Sequence, residues 1–147
     1  MAVQWPGFRI TQQDDESVAW EGILNPDKRK HLVRVFYYLP TNVLENVTLG
    51  QMQPRVRVLE PLLEQRPDYE EGPLPHVYWS NEFPTMPSLC LFSLSGREWG
   101  PDDLIAHTTV FWAWEWLLFY EGWLVTKKWK GGGRHPVSNN VIKHETV

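Results

Sequence analysis

Cysteine is scarce in this sequence, with Cys90 the only one among 147 residues. A single cysteine excludes an internal disulfide framework, and the lack of a closely spaced cysteine pair excludes a thiolate-rich structural zinc site. The thiol is therefore either inert or used in chemistry. Taken alone, burial statistics favour the inert thiol, because free cysteines are among the residues most often found in protein cores.

The sequence also lacks a positive excess and a long apolar run. A formal net charge of −4 gives no general attraction to phosphate backbones, so we expect no nucleic acid as a partner. The longest apolar run, from Val110 to Tyr120, is interrupted by Glu115 and is shorter than the roughly 20 residues that span a bilayer. The first residues show no basic region followed by an apolar one, so we expect no secretory signal and a cytoplasmic protein without a membrane partner.

The length predicts one domain, residues 1–147, with 137–147 as a flexible tail. Short runs of alternating or β-branched residues predict an antiparallel meander with strands near residues 8–12, 18–24, 31–39 and 55–59. Prolines then recur between residues 61 and 87 and block both regular helix and sheet ladders. Such a long ordered loop is often functional.

A long helix is predicted in the C-terminal half. Pro101 and the acidic pair Asp102-Asp103 are typical of a first helical turn, and Gly122 is typical of a helix stop. The helix should therefore run from this start to about Glu121. Aromatic residues at spacings of four, three and four share one of its faces and indicate burial against the sheet: Trp112, Trp116, Phe119 and Trp123. The predicted fold class is α+β, an antiparallel meander packed on one long helix, which by itself implies no function.

The segment around Cys90 carries a more specific signal. Leu89-Cys90-Leu91 is followed, nine positions after the cysteine, by Trp99-Gly100-Pro101 and then by the predicted helix. This resembles the active-site segment of ubiquitin-conjugating enzymes, and residues 20–24, 33–40 and 54–58 resemble strands of the same family. The resemblance covers roughly residues 18–120 and implies a ubiquitin-conjugating (UBC) fold, without the usual N-terminal helix because strand-like sequence begins by Phe8.

Two further segments narrow the resemblance. The run from Trp114 to Trp123 and the Gly-Gly-Gly-Arg-His-Pro segment at 131–136 are similar to the conjugating enzymes of anti-phage cyclic-oligonucleotide (CBASS) operons, especially the short systems that lack an activating enzyme. The resemblance implies that Cys90 takes the C-terminus of a cGAS-like nucleotidyltransferase as a thioester and passes it to an amine, with no cofactor. The alternative is a non-catalytic adaptor of the same fold that only binds a partner.

The helper residues depart from the family pattern. His76 is followed by Val77-Tyr78 where the family has Pro-Asn, and it lies fourteen positions before Cys90, farther than is usual. Counting back from Cys90 instead brings Glu82 to the asparagine position, with Asn81 beside it. The predicted catalytic residues are therefore Cys90, His76 and Asn81.

Each helper has a plainer interpretation beside the catalytic one. His76 can orient the active-site loop or move a proton, or it can simply stabilise the loop. Asn81 can donate an amide N–H to an oxyanion, or it can be a turn residue. His107, four positions after Asp103, is explained best by a helical pair.

The other polar and aromatic candidates carry weaker signals. His135 can approach the site, but no histidine here has metal-ligand spacing, so we expect no metal site. A basic cluster is interpreted as solvated surface: Lys127, Lys128, Lys130 and Arg134. Nine tryptophans invite a binding-module interpretation, but helical spacing indicates core positions for most of those in the helix. The ones in predicted loops can contact a partner: Trp79, Trp99 and Trp129.

Overall fold

The structure, a computed structural model, describes residues 1, 3–38, 54–91 and 104–131. It confirms the α+β class. The elements are β1 (Arg9–Gln13), β2 (Ser17–Leu24), β3 (His31–Tyr38), β4 (Arg55–Glu60), β5 (Val77–Tyr78), β6 (Ser88–Leu89) and α1 (Thr109–Thr126). Among the described residues before β1, residues 3–4 and 6–7 form turns.

All six strands form one antiparallel sheet in the order β1-β2-β3-β4-β6-β5. The first four follow chain order, as predicted for a meander. The last two strands do not follow chain order: β6 lies inside the sheet between β4 and β5, and β5 forms the edge. Cys90 directly follows β6. The predicted irregular loop therefore contains one short strand, β5, that serves as the outer neighbour of β6.

The β1–β2 hairpin is closed by a carboxylate. Asp14 accepts the backbone N–H groups of Glu16 and Ser17, each at 2.8 Å, and the Ser17 hydroxyl at 3.0 Å. These hydrogen bonds favour the charged form and lower the pKa of Asp14. The turn between β1 and β2 is thus held by its own first residue, as is usual where aspartate bonds to the backbone two residues on.

Alternation along the central strands separates a core face from an outer face. The valines at 33, 35, 56 and 58 are at most 1% exposed and form one cluster with helix residues that include Trp116 and Trp123. Removing such a side chain from water contributes about 1.5–3 kcal/mol each. Charged residues of the same strands, Arg34 and Arg57, lie opposite one another on the other face.

The helix boundaries differ from the sequence-based expectation at both ends. Residues 105–108 form turns and α1 begins only at Thr109, so His107 lies exposed before the helix rather than within it. Gly122 is an interior residue of α1, which continues to Thr126 and is followed by Lys127 in the left-handed conformation, φ 65°. Trp116 and Trp123 are buried as predicted, whereas Trp112 and Phe119 are only half-buried.

Trp129, which follows α1 in the chain, packs against the core. Trp129 is half-buried, with its ring centroid 5.0 Å from that of His76, 5.4 Å from Trp116 and 5.9 Å from Phe119. Trp129 lies in a loop, as predicted, and its contact with a partner stays a prediction. Trp79 also packs against the core cluster.

The exposed lysines fit their interpretation as solvated surface: Lys127, Lys128 and Lys130. Several predicted features lie outside the described residues: the turn at 99–101, the pair Asp102-Asp103, Arg134, His135 and the tail at 137–147. Within the described ranges, no helix has the length and apolar character needed to cross a membrane.

Candidate active site

Cys90 is held at the end of the shortest strand pair in the sheet. Val77 pairs with Leu89 and Tyr78 pairs with Ser88, and Val77 and Leu89 are anchored in the core at 1% and 5% exposure. Cys90 follows Leu89 directly, is half-buried, and donates its backbone N–H to the carbonyl of His76 at 3.0 Å. The backbone of Cys90 is therefore held on one side by the buried pair of Val77 and Leu89 and on the other by its hydrogen bond to His76.

The carbonyl of His76 has a second donor. The indole Nε1–H of the buried Trp116 donates to the same oxygen at 3.0 Å, so one carbonyl joins α1 to the backbone of Cys90. His76 has a positive φ of 51°, and its ring contacts that of Trp129 with a tilt of 32° between the ring planes. A residue with a side chain rarely adopts this conformation unless its surroundings require it, and here the two hydrogen bonds and the ring contact supply that requirement.

The Cys90 thiol contacts a tyrosine hydroxyl. Its Sγ donates to Oη of Tyr78 over 3.4 Å. Side chains two residues apart on a strand share a face, so Cys90 lies on the face of Ser88 and therefore on that of Tyr78, diagonally across the ladder. A long aromatic side chain can span this diagonal. The nucleophile candidate thus has a hydroxyl at its sulfur.

Arg57 brings positive charge to the same face of the sheet. It pairs with Ser88, its Nε donates to the carbonyl of Met86 at 3.1 Å, and its guanidinium lies 4.2 Å from the ring centre of Phe83. Burial, followed by the charges of Arg55 and, more weakly, Arg34, lowers the pKa of Arg57, and Glu82 opposes the change. Arg57 is therefore held beside Ser88, two residues before Cys90 in the chain, by a main-chain hydrogen bond and a ring contact.

The predicted site residues are brought together only in part. His76 reaches Cys90 through the main chain, as described above. Asn81 lies exposed in the bend between β5 and β6, where the Ser80 hydroxyl accepts the N–H of Glu82 at 3.2 Å. This local bond is typical of a turn, and the role of Asn81 stays a prediction.

Comparison with known proteins identifies the family of this chain. The family model described as "Type II CBASS E2 protein" matches residues 1–136. The chain belongs to this family. The match includes Cys90 and nearly the whole length, and it confirms the resemblance to CBASS conjugating enzymes. A comparison with curated proteins found no match.

For a CBASS E2 family member, Tyr78 is the residue that sequence reasoning missed. The available signal was its place in His76-Val77-Tyr78, because it is the second residue after the histidine, where the resemblance leads one to expect asparagine. The spacing from Cys90 instead favours Glu82 and its neighbour Asn81. The strand pairing explains the difference. Residues 79–87 separate β5 from β6 along the chain, so Tyr78 is distant from Cys90 in sequence, but the pairing of the two strands brings it beside the cysteine.

Proposed function

We propose that the protein is a cysteine-dependent acyl transferase of the ubiquitin-conjugating type, with Cys90 as the acyl carrier. The observation that supports it most strongly is the placement of Cys90 within the family-matched range: its backbone is bonded to His76 and its sulfur contacts the hydroxyl of Tyr78. A cysteine that only fills the core needs neither accessibility nor a hydroxyl partner, and this one is half-buried.

The chemistry has two balanced steps. The sulfur of Cys90 attacks the carbonyl carbon of an activated acyl group, an acyl adenylate or a thioester, and the leaving group departs while the thiol proton passes to base or water. An amine then attacks the new thioester, an amide bond forms, and the cysteine sulfur leaves and is reprotonated. No electron is gained or lost, so the reaction needs no redox cofactor.

The partner is inferred from the family rather than from a bound chain. The donor we propose is the C-terminus of a cGAS-like nucleotidyltransferase, and its conjugation to an amine regulates anti-phage cyclic-oligonucleotide signalling in the cytoplasm. A flexible C-terminal tail suits this role, because an extended acyl donor can reach a sulfur at the end of a strand without displacing the fold.

His76 and Asn81 have different places in this proposal. His76 is a positioning residue, because its carbonyl holds the backbone of Cys90 and the indole of Trp116. Asn81 remains the residue predicted to donate to the developing oxyanion, by the chemistry of its amide.

The proposal is tested by intact mass spectrometry after co-expression with the nucleotidyltransferase of the same operon. We expect a Cys90 adduct with the mass of the partner that is removed by hydroxylamine or excess thiol. Cys90→Ala should lose it, and Cys90→Ser should retain it as a thiol-resistant ester, because an oxygen ester is less reactive than a thioester.

Two outcomes would contradict the acyl-transfer proposal. One is the absence of any adduct in the wild-type protein and in Cys90→Ser. The other is a partner complex that forms equally well with Cys90→Ala and has the same effect on nucleotide synthesis, which would favour the non-catalytic adaptor.

A further inference from the structure

We propose that the Tyr78 hydroxyl is a hydrogen-bond donor, additional to the predicted Asn81 amide, to the oxyanion that forms when the Cys90 sulfur attacks a carbonyl carbon. This deepens the proposed function and rests on it for the natural substrate. The chemical claim itself concerns only two side chains that the structure places in contact. It can therefore be tested on the isolated protein.

The geometry places the donor where the charge develops. Oη of Tyr78 lies 3.4 Å from Sγ of Cys90. In the tetrahedral adduct, one carbon atom separates the negatively charged oxygen from this sulfur. A hydroxyl already at the sulfur needs only a small side-chain rotation to reach the roughly 2.7–3.1 Å at which an oxyanion donor acts.

The backbone around the pair is fixed before any substrate arrives. Tyr78 and Ser88 are opposite one another in the ladder, the preceding pair Val77 and Leu89 is buried in the core, and the N–H of Cys90 is bonded one step further along. A tyrosine ring has only two side-chain torsions, so little freedom is lost when it is held in place. This preorganisation is what makes an oxyanion donor effective.

The chemistry of a phenol suits this task. A tyrosine hydroxyl ordinarily keeps its proton at neutral pH and both donates and accepts hydrogen bonds. In the resting protein it accepts from the thiol. When the sulfur is deprotonated or acylated, the thiol no longer donates to the hydroxyl, and the phenolic O–H can donate to the oxygen of the adduct.

The test compares two reactions of the same sulfur in Tyr78→Phe. Acylation by p-nitrophenyl acetate passes through a tetrahedral oxyanion and releases p-nitrophenolate, whereas alkylation by iodoacetamide displaces iodide at a saturated carbon and forms no oxyanion. Loss of one oxyanion donor slows enzymes by about 10²- to 10³-fold with a bound substrate. For a small ester we expect Cys90 acylation to slow roughly 10-fold while alkylation keeps the wild-type rate.

Matched variants control for background and for the general loss of a hydroxyl. Cys90→Ala gives the rate of acylation elsewhere on the protein. Tyr69→Phe removes the hydroxyl of another half-buried tyrosine, which donates to the carbonyl of Leu124 at 3.3 Å and packs on Trp123. Its acylation rate should equal that of the wild type. Thermal unfolding of each variant verifies that the fold is intact.

Two results would overturn the inference. Unchanged acylation in Tyr78→Phe would show that the hydroxyl contributes nothing to the oxyanion. Equal slowing of acylation and alkylation would show that it acts on the sulfur or on access to it. Failure of the partner adduct would refute the proposed function alone, since the reaction with p-nitrophenyl acetate needs no partner.

Discussion

His76 offers a test at the scale of one residue. Its carbonyl takes two hydrogen bonds, and its φ of 51° is a conformation that asparagine tolerates better than most residues. We expect His76→Asn to lower the free energy of unfolding by about 1–3 kcal/mol, because the tilted ring contact with Trp129 is lost. The pH profile of Cys90 acylation by p-nitrophenyl acetate should keep its shape, since the carbonyl is retained.

The control for this prediction is His107→Gln, which changes an exposed histidine outside the site. Its stability and its pH profile should both match the wild type. A profile that loses its dependence near neutral pH in His76→Asn, with that of His107→Gln unchanged, would show instead that the imidazole moves a proton.

The residues of the site illustrate what a sequence reveals at this scale. Cys90 could be singled out because its side-chain chemistry and its neighbours are written in the sequence. The contribution of the His76 carbonyl could not, because every residue has a carbonyl and only the fold decides which one receives two donors. Tyr78 lay between these cases, since its type was visible but its contact depended on a two-residue strand pairing.

At the scale of an element, Gly122 lies inside α1 where a stop was predicted. A Cβ added to it would meet no atom within 4 Å, and the residue is exposed. Gly122→Ala should therefore stabilise the protein by about 0.5–1 kcal/mol, because alanine loses less backbone entropy in a helix. Chemical denaturation measures the change directly.

Gly22 supplies the matched contrast for this prediction. It lies buried in β2, and an added Cβ would overlap the ring of Phe8. Gly22→Ala should destabilise the protein by about 1–3 kcal/mol, because the ring must move out of a packed site. If Gly122→Ala were destabilising as well, the helix would have to end before this position.

The helix boundaries show why element ends are hard to predict. Tertiary packing decides them as much as local signals do: α1 passes through Gly122 because Trp123 beyond it is fully buried and bonded through Nε1 to the carbonyl of Glu70 at 2.9 Å. The end comes instead at Lys127, whose N–H bonds back to Trp123 at 2.8 Å. By contrast, β3 and β4 were predicted closely, because period-two alternation reports directly on a face that is buried.

At the scale of the whole molecule, one buried polar group joins the helix to the sheet. Glu121 of α1 accepts the backbone N–H groups of Lys28 and Arg29, each at 3.2 Å, and its other oxygen lies 3.2 Å from Nε2 of His31. His31 is 1% exposed. Among the described residues, its Nδ1 has no hydrogen-bond partner, which fits a neutral ring that donates through Nε2.

This arrangement predicts that acid weakens the fold. Burial lowers the pKa of His31 below its usual 6.5, with Arg29 contributing in the same direction and the hydrogen bond and charge of Glu121 opposing it. As the pH falls through 6.5, the unfolded chain therefore takes up a proton that the folded chain does not. The stabilisation is fully present above the unfolded pKa and is lost as the pH falls toward the folded one.

Urea denaturation from about pH 7.5 to about pH 5.5 measures the effect. Each pH unit over which only the unfolded state holds the proton costs about 1.4 kcal/mol. His31→Gln keeps a donor for Glu121 but cannot titrate, so its stability should fall less steeply than that of the wild type over this range. His107→Gln, which removes an exposed histidine, should follow the wild type. Parallel curves for the wild type and His31→Gln would show that the link between helix and sheet does not depend on a neutral His31.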